Sequence, residues 1–116
     1  MSARRRNTAV ADRGLQGSAP LFAALGDEIR LSIVSRLCAG GPTSISTLTE
    51  GTGVTRQAIT KHLQVLADAG LVRDVRRGRE RVWDIEEHRL VMARRFLDVM
   101  SDLWGERLER LKASVE

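Results

Sequence analysis

The sequence predicts a mainly α-helical chain that carries one β-hairpin. Three observations support this. Apolar residues recur every three or four positions in several separate runs, the spacing that lines one face of a helix. One run, 71–85, alternates as strands do and is interrupted by a glycine. Hydrophobic residues make up 42% of the 116 positions but aromatics only 3%, so the core is built from Leu, Ile, Val and Ala.

The elements follow in order. Residues 1–19 read as a flexible basic arm, with Arg4, Arg5 and Arg6 in a row, and 20–116 as one folded domain. After Pro20 a short helix carries Leu21, Phe22 and Leu25 and stops at Gly26. Asp27 suits an N-cap, because its carboxylate accepts from the free N–H groups of the next turn. A second helix is expected from Glu28 to Ala39, with Ile29, Ile33, Val34 and Leu37 on one face, ended by Gly40-Gly41-Pro42. Ser44 to Thr52 is a weaker helix, its propensity lowered by three Thr and by Gly51. Gly53 breaks the chain, and Thr55 caps a helix that runs to Gly70. LVRDVRR, Gly78 and RERVWDI then give a two-stranded hairpin with Arg76, Arg77, Arg79 and Arg81 at its tip. A last helix spans Glu87 to Ala113, with acid at its positive end. Leu90, Leu97, Met100, Trp104, Leu108 and Leu111 form its stripe, widened by Phe96, Val99 and Leu103. That is more apolar surface than a small domain needs to hold one helix, so a second copy is expected against it.

Composition narrows the function. Net charge is +4, and all 19 basic residues except Lys61 and Lys112 are arginine. Cys38 is the one cysteine, which rules out a disulfide within the chain and a cysteine cluster for zinc. No run approaches the roughly 18 apolar residues of a membrane span. The basic start is not followed by the apolar run of a signal peptide, so a cytoplasmic protein is expected. No nucleophile–base pair, metal cluster or phosphate loop suggests an enzyme.

A short helix, a glycine turn and a second amphipathic helix make a helix-turn-helix, and an Arg-tipped hairpin directly after it makes a wing. Ile59, Leu63 and Leu66 anchor the second helix, with Ala58 and His62 toward the same side. Arg56, Gln57, Thr60 and Lys61 remain on its outer face, just past the capping Thr55. In this motif the amino-terminal residues of that helix meet base edges in the major groove. Arg forks onto guanine, Gln pairs with adenine, and Thr bonds a base or touches a thymine methyl. Lys61 reaches phosphate, which positions the protein without reading sequence. The wing arginines lie along the backbone or enter a narrow minor groove. For Arg4, Arg5 and Arg6 two readings stay open: a terminus with no role, and an arm that touches DNA phosphates.

TRQAITKHLQVLADAGLV (Thr55–Val72) and LGDEIRLSIVSRL (Leu25–Leu37) together resemble the ArsR/SmtB family of winged helix-turn-helix repressors. The resemblance extends from about Leu21 to Leu111. It implies a homodimer joined by its first and last helices, bound to a palindromic operator in double-stranded DNA. The interface residues would be Leu21, Phe22, Leu25, Leu97, Met100, Trp104, Leu108 and Leu111. LDVMSDLWGERLERL (Leu97–Leu111) is similar to a metal-independent branch of the family.

The metal-sensing members carry Cys-x-Cys on the helix before the turn, or Asp/His and His/Glu pairs on the last helix. Here those segments offer STLTEGTG, and Asp98 and Asp102 with only His88 nearby. No metal or other cofactor is therefore expected, and the effector is left open. Thr49 and Thr52 stand where the family has small or apolar residues. His62 reads as a packed residue bonded to backbone, Cys38 as a small core residue, and Trp104 as core or interface. Two alternatives stay open: a metal- or thiol-responsive repressor of the same fold, and a winged helix used only for protein contact.

Overall fold

The computed structural model describes residues 17–115. Helix α1 covers residues 17–25, so it already includes positions assigned above to the arm, and Pro20 sits within it. Proline is tolerated in a first helical turn, where backbone N–H groups have no intrahelical acceptor to lose. The rest of the predicted arm, with Arg4, Arg5 and Arg6, lies outside the described residues. Leu21 and Ala24 point from α1 into the core.

Helix α2 is Glu28–Gly40. Asp27 caps it as expected, its carboxylate accepting from the Arg30 N–H at 3.0 Å. Ile33, Val34 and Leu37 are buried, and Ile29 packs beside them. Gly41, at φ +77°, turns the chain so that its N–H returns to the Leu37 carbonyl at 2.9 Å.

A two-residue strand, β1 (Thr43–Ser44), precedes α3 (Ile45–Thr49). The sequence predicts only a two-stranded hairpin. Two polar residues carry no alternation by which a strand could be recognised. The Ser44 hydroxyl caps α3 by accepting from the Thr47 N–H at 3.2 Å. Arg36 of α2 reaches across to the other end of α3 and donates to the carbonyls of Leu48 and Thr47, both at 2.8 Å. These acceptors belong to the last turn, where helix carbonyls lack their usual partners; the Thr47 carbonyl also accepts from the Glu50 N–H at 3.3 Å.

Thr49 and Thr52, unusual at their positions, are satisfied locally. The Thr49 hydroxyl donates to the Ile45 carbonyl at 2.7 Å. The Thr52 hydroxyl donates to the Thr49 carbonyl at 2.8 Å and accepts from the Val54 N–H at 3.1 Å. The turn between α3 and α4 is thus held by this hydroxyl together with the Thr52 N–H bond to the Thr49 carbonyl at 3.3 Å.

Helix α4 is Arg56–Asp68, and its anchors Ile59, Leu63 and Leu66 are fully buried. It closes with a Schellman motif: Leu71 N–H to Leu66 carbonyl and Gly70 N–H to Ala67 carbonyl, both at 2.9 Å. Gly70 has φ +77°, and a Cβ there would meet Arg89 Cγ at 3.0 Å.

Strands β2 (Val72–Arg77) and β3 (Glu80–Ile85) form the hairpin, with Gly78 at φ +62° in its two-residue loop. The sheet is antiparallel in the order β1-β3-β2. Helix α5 is Glu87–Val115. Its first half rests on the core through Ala93, Leu90 and Met92, and Phe96 meets Phe22 of α1 with ring centroids 5.5 Å apart. Its second half projects: the radius of gyration is 18.6 Å, against about 13 Å for a compact domain of this length.

Candidate nucleic-acid interface

The buried stripe of α4 fixes which side chains face out. With Ile59, Leu63 and Leu66 inside, Thr55, Arg56, Gln57, Thr60 and Lys61 are all exposed. Thr55 is the N-cap, its hydroxyl accepting from the Ala58 N–H at 3.1 Å. The Thr60 hydroxyl donates to the Arg56 carbonyl at 2.9 Å. Its proton is thereby spent, and its oxygen lone pairs and methyl group are what it can offer a base. No described residue hydrogen-bonds the side chains of Arg56, Gln57 or Lys61, so binding DNA would not require an internal bond to be broken there.

His62 is half-buried, but its partners are side chains rather than the backbone expected from the sequence. Arg30 Nη1 lies 3.3 Å from His62 Nδ1, and Asp27 Oδ2 lies 3.8 Å from the same nitrogen. Arg30 also donates through Nε to the Ala24 carbonyl. This cluster ties α4 to the corner between α1 and α2. The Arg30 N–H bond, aided by the Arg30 and His62 charges, holds the Asp27 carboxyl below its ordinary value.

The wing arginines are not equivalent. Register places Val72 opposite Ile85, Asp74 opposite Trp83 and Arg76 opposite Arg81. Side chains alternate along a strand, so these six share one face. Val72 and Trp83 belong to the core cluster, which makes this the inner face, although Val82 on the other face is buried as well. Arg77 pairs with Glu80 on the other face, and Arg79 sits in the loop. All four arginines are exposed. Arg81, however, is engaged: its Nε donates to Asp74 Oδ2 at 2.8 Å and its guanidinium lies over Trp83, 5.3 Å from the ring centroid.

A groove of about 470 Å³ separates the wing from α4. It brings together Arg56 and Thr60 with Arg79 and Arg81, and leaves Gln57, Lys61, Arg76 and Arg77 outside its lining. It also recruits Ser44, Ser46 and Gln64, which the sequence reading missed. Gln64 was legible: it stands four and eight residues from Thr60 and Arg56, on the same helical face. The two serines were not, because only the β1–β3 pairing carries them to the groove.

The expected dimer residues divide. Leu97, Trp104, Leu108 and Leu111 are exposed, and Met100, Phe22 and Leu25 are half-buried. Leu21 is a correction: at 1% exposure it belongs to the core of its own protomer and has no surface for a partner. Val115, 87% exposed, extends the apolar face beyond the predicted set. Cys38 is also a correction, being exposed rather than core. It lies seven residues from the exposed Leu31 and so on the same outward side of α2. Asp98 lies 4.0 Å from Arg94 in an exposed ion pair. Among the described residues no three His, Cys, Asp or Glu side chains come together to hold a metal ion, and no helix is long and apolar enough to cross a membrane.

Comparison with known proteins agrees with this geometry. Residues 25–75 match a family model described as a helix-turn-helix domain. The chain is 43% identical over 68 residues to the HTH-type transcriptional regulator YuzN of Bacillus subtilis (strain 168), covering 53% of this chain and 74% of that one. An ArsR-like transcriptional regulator from Rhodococcus sp. RHA1 superposes with a TM-score of 0.71 at 37% identity, over 87% of this chain and 94% of the other. The homodimeric winged helix-turn-helix DNA-binding domain of Mb0332 from Mycobacterium bovis superposes with a TM-score of 0.59 at 28% identity, over 83% and 85%.

Proposed function

This chain belongs to the ArsR family of winged helix-turn-helix transcriptional regulators, and from that premise we propose that it represses transcription as a homodimer on a palindromic operator, without a bound metal. It is a DNA-binding regulator and not an enzyme. The observation that carries the finer reading is the corner at the start of α4. There Arg56, Gln57, Thr60 and Lys61 stand exposed on a helix whose opposite side is locked into the core, with an arginine-bearing wing alongside.

In this reading Arg56 and Gln57 read base edges and Thr60 offers an acceptor or its methyl group, while Lys61 and the wing bind phosphates. Thr55 serves as the cap that aims them. A second copy covers the apolar second half of α5, joined by Phe22 and Leu25 of α1. The Mb0332 domain is homodimeric, which supports pairing of two copies. Two reading helices then sit about one DNA turn apart, ~34 Å, and demand a two-fold site. Repression follows by occlusion of the promoter, in the cytoplasm. Metal is left out because the α3 region has no Cys or His and α5 offers only carboxylates and His88. A zinc titration that shifts operator affinity would overturn that part.

The direct test selects bound genomic fragments and then measures variants on the selected and on random duplex. Gln57→Ala should cost about 1–3 kcal/mol per half-site on the selected fragment and leave random DNA unchanged. Arg79→Ala should weaken both alike and flatten the salt slope by about one unit. An equal loss on both duplexes for Gln57→Ala removes its reading role. Undetectable, salt-insensitive binding by the wild type would favour a protein-contact module instead.

A further inference from the structure

Toward its tip the wing carries two acids among its cations: Glu80, which lines the groove beside Arg79, and Asp74 on the inner face, which is bonded to Arg81. We propose that Asp74 is a built-in substitute for a DNA phosphate, occupying Arg81 in the free protein and thereby restraining the wing's affinity for any duplex. The inference rests on the wing binding DNA as proposed above.

The register supplies the argument. Arg76 and Arg81 are directly opposite each other on one face, an arrangement that is destabilising for like charges. Asp74 lies diagonally from Arg81, one pair nearer the core on the same face, and is bonded to it at 2.8 Å, so it offsets the charge of Arg81 rather than standing between the two arginines. Carboxylate and phosphate both present oxygens that match the guanidinium fork, so one can replace the other on Arg81. The two side chains of the pair are 64% and 50% exposed, so the contact is solvated and exchanges readily. Trp83 is buried beneath the guanidinium and keeps it in place when the carboxylate leaves. Arg81 also lines the groove shared with Arg56 and Thr60, where a phosphate passing between helix and wing would meet it. A phosphate that displaces Asp74 leaves the carboxylate close by and uncompensated. Every duplex meets this opposition, whatever its sequence.

The test is Asp74→Asn, measured by fluorescence anisotropy on the selected fragment and on random duplex across a salt series. Binding should tighten on both, with the ratio between them unchanged. One further effective phosphate contact should steepen the salt dependence, so that the loss between 50 and 200 mM salt grows about 3.5-fold. In an Arg81→Ala background the same substitution should give no gain. Unchanged or weaker binding by Asp74→Asn overturns the proposal, as does a gain that persists without Arg81. If Arg76→Ala, Arg79→Ala and Arg81→Ala all bind like the wild type, the wing is not on DNA and the underlying reading fails. If they bind more weakly while Asp74→Asn gains nothing, only the role of Asp74 fails.

Discussion

Trp104→Ala should separate the proposed dimer while leaving each protomer folded. Trp104 has 54% of its surface in water within one chain. For a side chain that buries up to about 250 Å², that leaves about 130 Å² for a partner to cover. At about 25 cal/mol per Å² this is about 3 kcal/mol per copy and about 6 kcal/mol across a two-fold interface. If the partner covers only half of the exposed ring, about 3 kcal/mol remains, and the dimer dissociation constant still rises by at least about a hundred-fold. The protomer should tolerate the change, because α5 is seated through Leu90, Met92 and Ala93, and the ring's cation partner, Arg107, lies on the same helix 5.5 Å away. Sedimentation equilibrium gives the dissociation constant, and far-UV circular dichroism reports the helices. Operator affinity should fall in parallel, since one reading helix alone lacks its half-site partner. A dissociation constant within about three-fold of the wild type would refute the reasoning, because that is under about 0.7 kcal/mol. So would loss of helical signal in the dilute variant, which would make Trp104 part of the protomer's own stability.

Two other outcomes follow from the packing and the caps. Leu63→Ala removes a side chain that is fully buried on the inner side of α4 and should cost about 2–5 kcal/mol of folding stability, read from the urea midpoint; a shift below about 1 kcal/mol would mean that α4 is not anchored through it. Asp27→Asn keeps a good cap but removes a charge. Because the folded protein holds this carboxyl below its ordinary value, its ionisation stabilises the fold above that value, and the benefit disappears as pH falls through the folded one. The wild type should therefore lead the variant near neutrality and lose its lead in acid; a gap independent of pH would assign the effect to shape rather than charge.

The parts of this fold that were legible from sequence are those set by short-range chemistry. Asp27 and Thr55 announce their helices because a cap needs only a side-chain oxygen and N–H groups two or three residues on. The hairpin and α4 follow from period and from glycines at Gly70 and Gly78, where φ is positive. What stayed hidden depends on contacts across the chain. Thr43 and Ser44 become a strand only because Trp83 and Val82 pass beside them. Leu21 looks like any apolar residue on a short helix, and only the placement of α1 sends it inward while Phe22 and Leu25 remain partly outside. Cys38 reads as core by residue type, yet the rotation of α2 turns it outward. In the candidate interface, the four wing arginines look alike in sequence. The strand register divides them between two faces and the loop and gives Arg81 its acid.

The grip of Arg36 on α3 bears on how such a molecule measures DNA. With two of its N–H groups committed to the Thr47 and Leu48 carbonyls, α3 is pinned to α2 and cannot slide independently. Because α3 packs directly against α4, the tip proposed to enter the groove is braced by the body behind it. In the proposed dimer, the gap between two such tips is then decided wholly at the greasy seam on the far side, like the hinge of a calliper. A few ångströms of slippage there would put both tips out of step with the duplex without touching a single residue that meets it.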